Sequence, residues 1–355
     1  MSSKEEIIKT FDPNGPVTSG SLFGLPFGVE HSELVVIPVP WDVTVSYRDG
    51  TSKGPEAILK ASLQVDLYLK SIFDAWKMGI YMMPISDSFK GENEIHRGLA
   101  LRYLKWLETN EEEWITDNIK VIPKAIDDIC EKLNIYVKSQ ALDLIKKGKM
   151  VALLGGDHST PLGLIKALGS TYNDFGILQI DAHADLRKSY ENFTYSHASI
   201  MYNALTEKSV SKLVQVGVRD YCEEEIIYIS NSKGRVVTFF DEDIKDLQNE
   251  GLPWKTICEE IISALPKNVY ISFDIDGLDP KLCPNTGTPV PGGLEYDQVI
   301  YLFKELVKSG RKIIGFDLNE VAPGSDDWDA NVGARILYQL GCLMGVSQRK
   351  LRFTS

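Results

Sequence analysis

From residue 150 onward, short apolar runs alternate with helix-length stretches, and this alternation constrains the fold more than any other feature of the chain. Runs near 150–154, 175–180, 212–217, 235–240, 269–274 and 312–317 read as strands, apolar on successive residues as expected when both faces of a sheet are covered. Helical stretches fall near 160–169, 197–206, 222–230, 253–264, 295–309 and 329–345. Strands alternating with helices predict an α/β fold, a parallel sheet with helices on both faces. Upstream, Leu34-Val35-Val36-Ile37-Pro38-Val39 reads as a first strand whose proline favours an edge position. Met78 to Met83 reads as another strand, a helix starts near Pro55, and residues near 122–148 form a long amphipathic helix ending in Lys146-Lys147-Gly148. Residues 1–33, polar and rich in Gly, Ser and Pro, are expected to form an arm on the surface or on a neighbouring subunit. Residues 34–355 are expected to form one domain with a charged insertion near 86–120, which carries Trp106, Trp114 and Glu111-Glu112-Glu113. That insertion either covers a pocket mouth or serves subunit packing.

In open parallel sheets ligands bind beyond the carboxyl ends of the strands. The residues that follow each strand therefore carry the functional reading. Asp181, His183 and Asp185 follow strand 175–180 at alternate positions, which an extended backbone places on one face. Alone, this stretch is either a metal-binding edge or a polar turn with a capping Asp and a solvated His. The recurrence of such groups decides for metal. Gly155-Gly156-Asp157-His158 follows strand 150–154, Asp274-Ile275-Asp276 follows strand 269–274, and Asp317-Leu318-Asn319-Glu320 follows strand 312–317. So many carboxylates on one rim repel one another unless cations neutralise them. His158, Asp181, His183, Asp185, Asp274 and Asp276 are the expected ligands of two divalent ions. Gly155-Gly156 matches no phosphate-loop pattern and reads as room for a close backbone approach. His197 is a further ligand, a helix-start residue without a role, or a proton carrier; hydrolysis at neutral pH favours the last. His31 and His96 read as surface or packing residues.

A net charge of −12 argues against nucleic acid or an anionic membrane as partner and suits a small cationic substrate. The N-terminus opens no apolar signal region and no run approaches the roughly 18 apolar residues of a membrane span. Five dispersed cysteines without C-x-x-C spacing suit reduced thiols in a cytoplasm, and Cys283 reads as a packing residue.

Five motifs together resemble the ureohydrolases, the family of arginase and agmatinase: GGDHS (155–159), DAHAD (181–185), SFDIDGLDP (272–280), TGTPVPGGL (286–294) and FDLNEVAP (316–323). The segment VSYRDGTSKGPEAI (45–58) is similar to that family's first loop and helix, and the order and spacing match from about 34 to 345. The resemblance implies a three-layer α/β/α sandwich with a mostly parallel sheet, assembled as a homo-oligomer, trimer or hexamer. It implies two metal ions, Mn2+ first among them, and hydrolysis of a guanidino group to an amine and urea. By motif position His158, Asp181, Asp185 and Asp274 would hold one ion, and Asp181, His183, Asp274 and Asp276 the other. His197 would be the proton shuttle, Glu320 the carboxylate that grips the guanidinium, and Thr288 part of the loop lining the substrate's head. Asp185 could in addition hold the attacking oxygen by a hydrogen bond.

Two metals lower the pKa of a shared water, and a carboxylate opposite a planar guanidinium makes paired hydrogen bonds. A shell of carboxylates and imidazole suits manganese without excluding Ni2+, cobalt or zinc. Arg187 stands where arginases have an Asn that helps hold the amino-acid end, and the surround of His197 is YSHAS; both resemble agmatinases. Agmatine is thus the expected substrate, with guanidine, a guanidino acid or arginine as alternatives. Two other classes compete. FDIDGLD resembles the start of aspartyl-phosphate phosphatases, with Asp274 as nucleophile and Asp326-Asp327 as a later acidic motif, but that scheme leaves three histidines unused. A non-catalytic metal-binding protein would need neither His197 nor Glu320.

Overall fold

A computed structural model of the chain describes residues 3–17, 20–109 and 117–354. Trp114 and the run Glu111–Glu113 lie outside the described residues. Ten strands form among the described residues: β1 Leu34–Pro38, β2 Ile72–Phe73, β3 Ile80–Met82, β4 Met150–Leu154, β5 Phe175–Ile180, β6 Val210–Val218, β7 Val236–Phe240, β8 Asn268–Asp274, β9 Lys312–Asn319 and β10 Arg352–Phe353. Eight of them build one sheet in the order β3-β1-β4-β9-β8-β5-β6-β7, and every pairing in it is parallel. β2 and β10 pair separately as an antiparallel ribbon.

Strand alternation splits the core in two. Leu34, Val36, Met150 and Ala152 face one cluster, and Val35, Ile37, Val151 and Leu153 face the other. The first is closed by helices Gly54–Ala61, Trp254–Ser263, Tyr296–Lys308 and Trp328–Ser347. The second is closed by helices Asp87–Thr109, Ile122–Lys146, Leu162–Gly169 and Ile200–Ala204. Each buried Leu, Ile or Val side chain contributes about 1.5–3 kcal/mol, so neither layer is dispensable. The result is the three-layer α/β/α sandwich that the motifs implied.

Pro55 sits in the first turn of its helix, and Gly148, at φ 74°, closes helix Ile122–Lys146. The edge position expected for β1 is wrong: β1 lies inside the sheet, between β3 and β4. Its pairing with β3 ends at Val36↔Met82, and by alternation the N–H that Pro38 lacks would point to that side, beyond the end of β3. The proline therefore costs no ladder bond. Two helices escaped the sequence reading. Lys4–Thr10 is started by a reciprocal cap between Ser3 and Glu6, and Asp241–Asn249 is polar but for Ile244 and Leu247.

Candidate metal centre and active site

β4, β9, β8 and β5 are consecutive neighbours in the middle of the sheet, and each ends in the groups singled out above. At the exit of β4 the chain passes so close to its neighbours that a Cβ on Gly156 would stand 1.9 Å from the carbonyl oxygen of Trp41. Only glycine fits there, which is the close approach expected of Gly155-Gly156. Asp185 and Glu320 adopt left-handed backbone at φ 54° and 62°, a conformation held only where the surroundings over-determine it. The carbonyl of Asp185 accepts from Met201 and Tyr202 N–H, while Glu320 N–H donates to Gly156 O and its carbonyl accepts from Thr286 Oγ1.

These exits bring the expected ligands together. Nδ1 of buried His158 lies 2.9 Å from Asp181 Oδ2, 3.1 Å from Asp185 Oδ2 and 3.3 Å from Asp274 Oδ2. Nδ1 of His183 lies 3.1 Å from Asp276 Oδ2 and 3.5 Å from Asp181 Oδ1. The residues form two groups, His158/Asp181/Asp185 and Asp181/His183/Asp276, with Asp181 in both and all ligand atoms of a group within 4.8 Å of one another. Backbone amides fix the carboxylates: Asp181 accepts from His183 N–H at 2.7 Å, Asp276 from Ala182 N–H at 3.0 Å, and Asp274 from Asp276 N–H at 2.9 Å.

The electrostatics call for cations. Burial and the charge of Asp181 push Asp185 up to about 7. Burial, with Asp276 and Asp181, pushes Asp274 up as well. Burial also resists ionisation of Asp181, but His158 and His183 outweigh it and hold this carboxyl below the ordinary range. Both imidazoles, despite burial, are raised by the carboxylates around them. His158 Nδ1 faces three carboxylate oxygens yet has no hydrogen bond of ordinary geometry. An acceptor-rich shell around an imidazole nitrogen aimed at no proton acceptor in line fits divalent ions. The resemblance of the motifs to the ureohydrolases implies a binuclear divalent centre, and these residues match it.

Around that centre lies a cavity of about 140 Å³, lined among others by Ser46, His183, Asp185, His197, Asp220 and Thr288. Thr288 Oγ1 is 3.4 Å from Asp276 Oδ2. His197 is half-buried, its backbone N–H donates to Thr44 Oγ1 at 3.3 Å, and its ring meets the Tyr190 ring edge-on. Burial, together with the charges of His183 and His158, holds its imidazole down to about 3. Glu320 does not line this cavity. One of its oxygens accepts from His158 N–H at 2.8 Å, and the other, Oε2, would meet a Cβ on Gly287 at 3.3 Å, beside the Thr288 loop. Burial and the charges of Asp157 and Asp276 push its carboxyl up. The remaining candidates stay outside. Cys283 is buried with Sγ on Ile275 O, Asp326 and Asp327 are exposed, and half-buried Trp106 packs on Tyr103 away from the cavity.

One part of the site was not legible beforehand. Thr238, Gln215, Gln179, Ser272 and Asp317 stand in register on β7, β6, β5, β8 and β9. Thr238 donates to Gln215, Gln215 to Gln179, and Gln179 to Asp181 Oδ2, at 2.7–2.8 Å. From the other side Asp317 accepts from Ser272 Oγ, which lies 2.9 Å from His158 Nε2. This polar row runs under the centre and orients two of its members. The only hint in the sequence was single polar residues interrupting apolar strands.

Comparison with known proteins points the same way. The arginase family model matches residues 32–342. The N(1)-aminopropylagmatine ureohydrolase of Thermus thermophilus is 33% identical over 317 residues, covering 89% of this chain and 92% of that protein. The agmatinase of Neisseria meningitidis is 30% identical over 327 residues, covering 90% and 89%. The crystal structure of agmatine ureohydrolase of Thermoplasma volcanium superposes with a TM-score of 0.68 at 23% identity, over 98% of this chain and 99% of that one, a likeness of fold.

Proposed function

The chain belongs to the arginase family, and from that premise we propose that it releases urea from agmatine or an agmatine carrying a further cationic extension. It is a ureohydrolase acting on a guanidino compound, agmatinase-like. The observation that carries the reading is the pair of ligand groups sharing Asp181 beside a cavity that also holds His197 and Thr288.

His158, Asp181, Asp185 and Asp274 would hold one ion, and Asp181, His183, Asp274 and Asp276 the other. When bound, a pair of divalent cations supplies Lewis acidity and lowers the pKa of a water between them. The chain's own residues do the rest. Glu320, with one oxygen committed to His158 N–H and the other beside the Thr288 loop, would offer that second oxygen to an N–H of the guanidinium. Asp185 holds the attacking oxygen by a hydrogen bond. His197, which lines the cavity with Asp185, would take the proton released as water adds and hand it to the leaving nitrogen. The C–N bond breaks, the remaining proton of the added hydroxyl passes to the departing amine, and urea and an ammonium product remain.

Asp220, largely exposed at the cavity, suits a cationic tail and repels a carboxylate. Arg187 also lines the cavity and favours the second reading, a guanidino acid. Its charge is already engaged, 3.9 Å from Glu225 and 4.9 Å over the Tyr190 ring, so the amine substrate is preferred. The carboxylate-rich shell supports Mn2+ as the resident ion, with Ni2+ its competitor. Free cysteines support a cytoplasmic protein, and the family supports a homo-oligomer, trimer or hexamer. Urea release should be measured on agmatine, aminopropylagmatine, arginine, guanidinobutyrate and guanidine after chelation and after return of manganese or nickel. Turnover of agmatine or its aminopropyl derivative that vanishes on chelation and returns with metal is expected. Guanidinobutyrate as the preferred substrate would move the assignment to guanidino acids, and activity indifferent to metal removal would sink the mechanism.

A further inference from the structure

Helix Asp87–Thr109 buries a stripe made of Asn93, Arg97, Ala100, Tyr103 and Leu104. Three of these five carry polar groups, and each is spent on an active-site loop. Asn93 pairs in both directions with Asp42: its Oδ1 accepts from Asp42 N–H at 2.8 Å and its Nδ2 donates to Asp42 Oδ1 at 2.9 Å. The other oxygen of Asp42 accepts from Gly50 and Ser52 N–H, which closes the 42–52 loop on itself. Nη1 of Arg97 donates to the carbonyls of Val43 and Val45, the two neighbours of Thr44. Further along, Tyr103 OH accepts from Asn192 Nδ2 at 2.7 Å, and its ring packs on Phe193 at 5.6 Å. Asn192 and Glu191 are both left-handed, at φ 64° and 51°, so that loop too is held rather than relaxed.

Thr44 joins the two loops. Its Oγ1 accepts the backbone N–H of His197 and stands 3.3 Å from Asp157 Oδ2, next to the ligand His158. Arg97 is 9% exposed, and no carboxylate lies within ion-pair distance of it among the described residues. Burial is costly for this guanidinium, the carboxylates of Asp42, Asp49, Asp157 and Glu191 offset it only at longer range, and such a group is kept where its geometry is needed. Both carbonyls are held by the one terminal nitrogen Nη1, so what the contact needs is a side chain long enough to bring two N–H groups under the loop.

We propose that Arg97 is a positioning residue for His197: through the Val43 and Val45 carbonyls it sets Thr44, and Thr44 sets the backbone of the proton carrier. Asn93 and Tyr103 brace the same two loops, so the helix inserted ahead of β4 acts as a strut behind the active site. The inference rests on His197 moving the proton.

The test uses the full-length, manganese-loaded enzyme on agmatine, with metal content and thermal midpoint measured for each variant. Arg97→Met is expected to lower kcat about tenfold to a hundredfold, as a displaced catalytic group does, with KM within about threefold and metal content unchanged. Thr44→Val should act in the same direction. Because both work on one contact, the double variant should fall no further than the worse single one. Losses that multiply, an unchanged kcat, or activity lost in step with metal would overturn the proposal. Should Arg97→Met not fold, Arg97→Gln, too short to reach both carbonyls, is judged by the same criteria. A fully active His197→Ala would instead remove the proton-carrier reading itself, whereas an inactive His197→Ala beside a normal Arg97→Met would remove this inference alone.

Discussion

At the scale of single residues, Glu320 shows how one side chain meets two demands. It is nearly fully buried, in left-handed backbone, and surrounded by acids that oppose its ionisation. Its Oε1 takes the His158 N–H, so the residue also orders the turn that presents a metal ligand. Glu320→Gln keeps an oxygen for that N–H but no longer offers a charge to a guanidinium. The expected result is an unaltered metal content and a kcat/KM lower by about 30-fold to 1,000-fold, the 2–4 kcal/mol lost when one partner of a buried charge pair is removed. Steady-state kinetics with metal analysis would check it; loss of metal with no change in KM would make Glu320 a purely structural residue.

At the scale of elements, the sheet does the aiming. The row from Thr238 through Gln215 to Gln179 ends on Asp181 Oδ2, the carboxylate shared by both ligand groups. Gln179→Leu keeps the bulk and removes the donor, and outer partners of this kind change metal affinity about 10- to 100-fold. Weaker manganese binding with an unchanged far-UV spectrum is expected by titration, and wild-type affinity would show that the row serves packing alone. What was legible in the sequence follows the same division. Asp181, His183 and Asp185 could be read because their alternation lies within one segment, and the four strand exits because each strand stands out as an apolar run. Gln215, Ser272 and Thr238 could not, since only the register between strands makes them neighbours of the centre. The place of β1 is not legible because a proline signals an edge, and only the strand pairing shows that β3 stops short beside Pro38. The role of Arg97 was equally hidden. A cation in a charged stretch reads as solvated until the 42–46 loop is seen to lie over it.

At the scale of the whole molecule, the binding of cations and the release of protons are one event. Around this centre the chain sets four Asp and two His, in a protein whose net charge is already −12. Without cations Asp185, at about 7, and the raised Asp274 hold protons, and both imidazoles are held protonated by their neighbours. Metal ligation needs ionised carboxylates and neutral imidazoles. Loading the site at neutral pH must therefore expel protons. The sign follows: affinity rises with pH and falls as the medium is acidified below about 7, where Asp185 fills. Calorimetric titration of the metal-free protein in two buffers of different ionisation enthalpy should give different apparent heats, with net proton release. The same coupling carries into folding, because the converged ligand set exists only in the folded chain. Free metal at a hundred times its dissociation constant should add about 2.7 kcal/mol to stability, read as a higher unfolding midpoint that chelation reverses. Identical heats in both buffers would mean that the ligands are already free of protons, and the electrostatic case for a centre built to receive cations would fail with them.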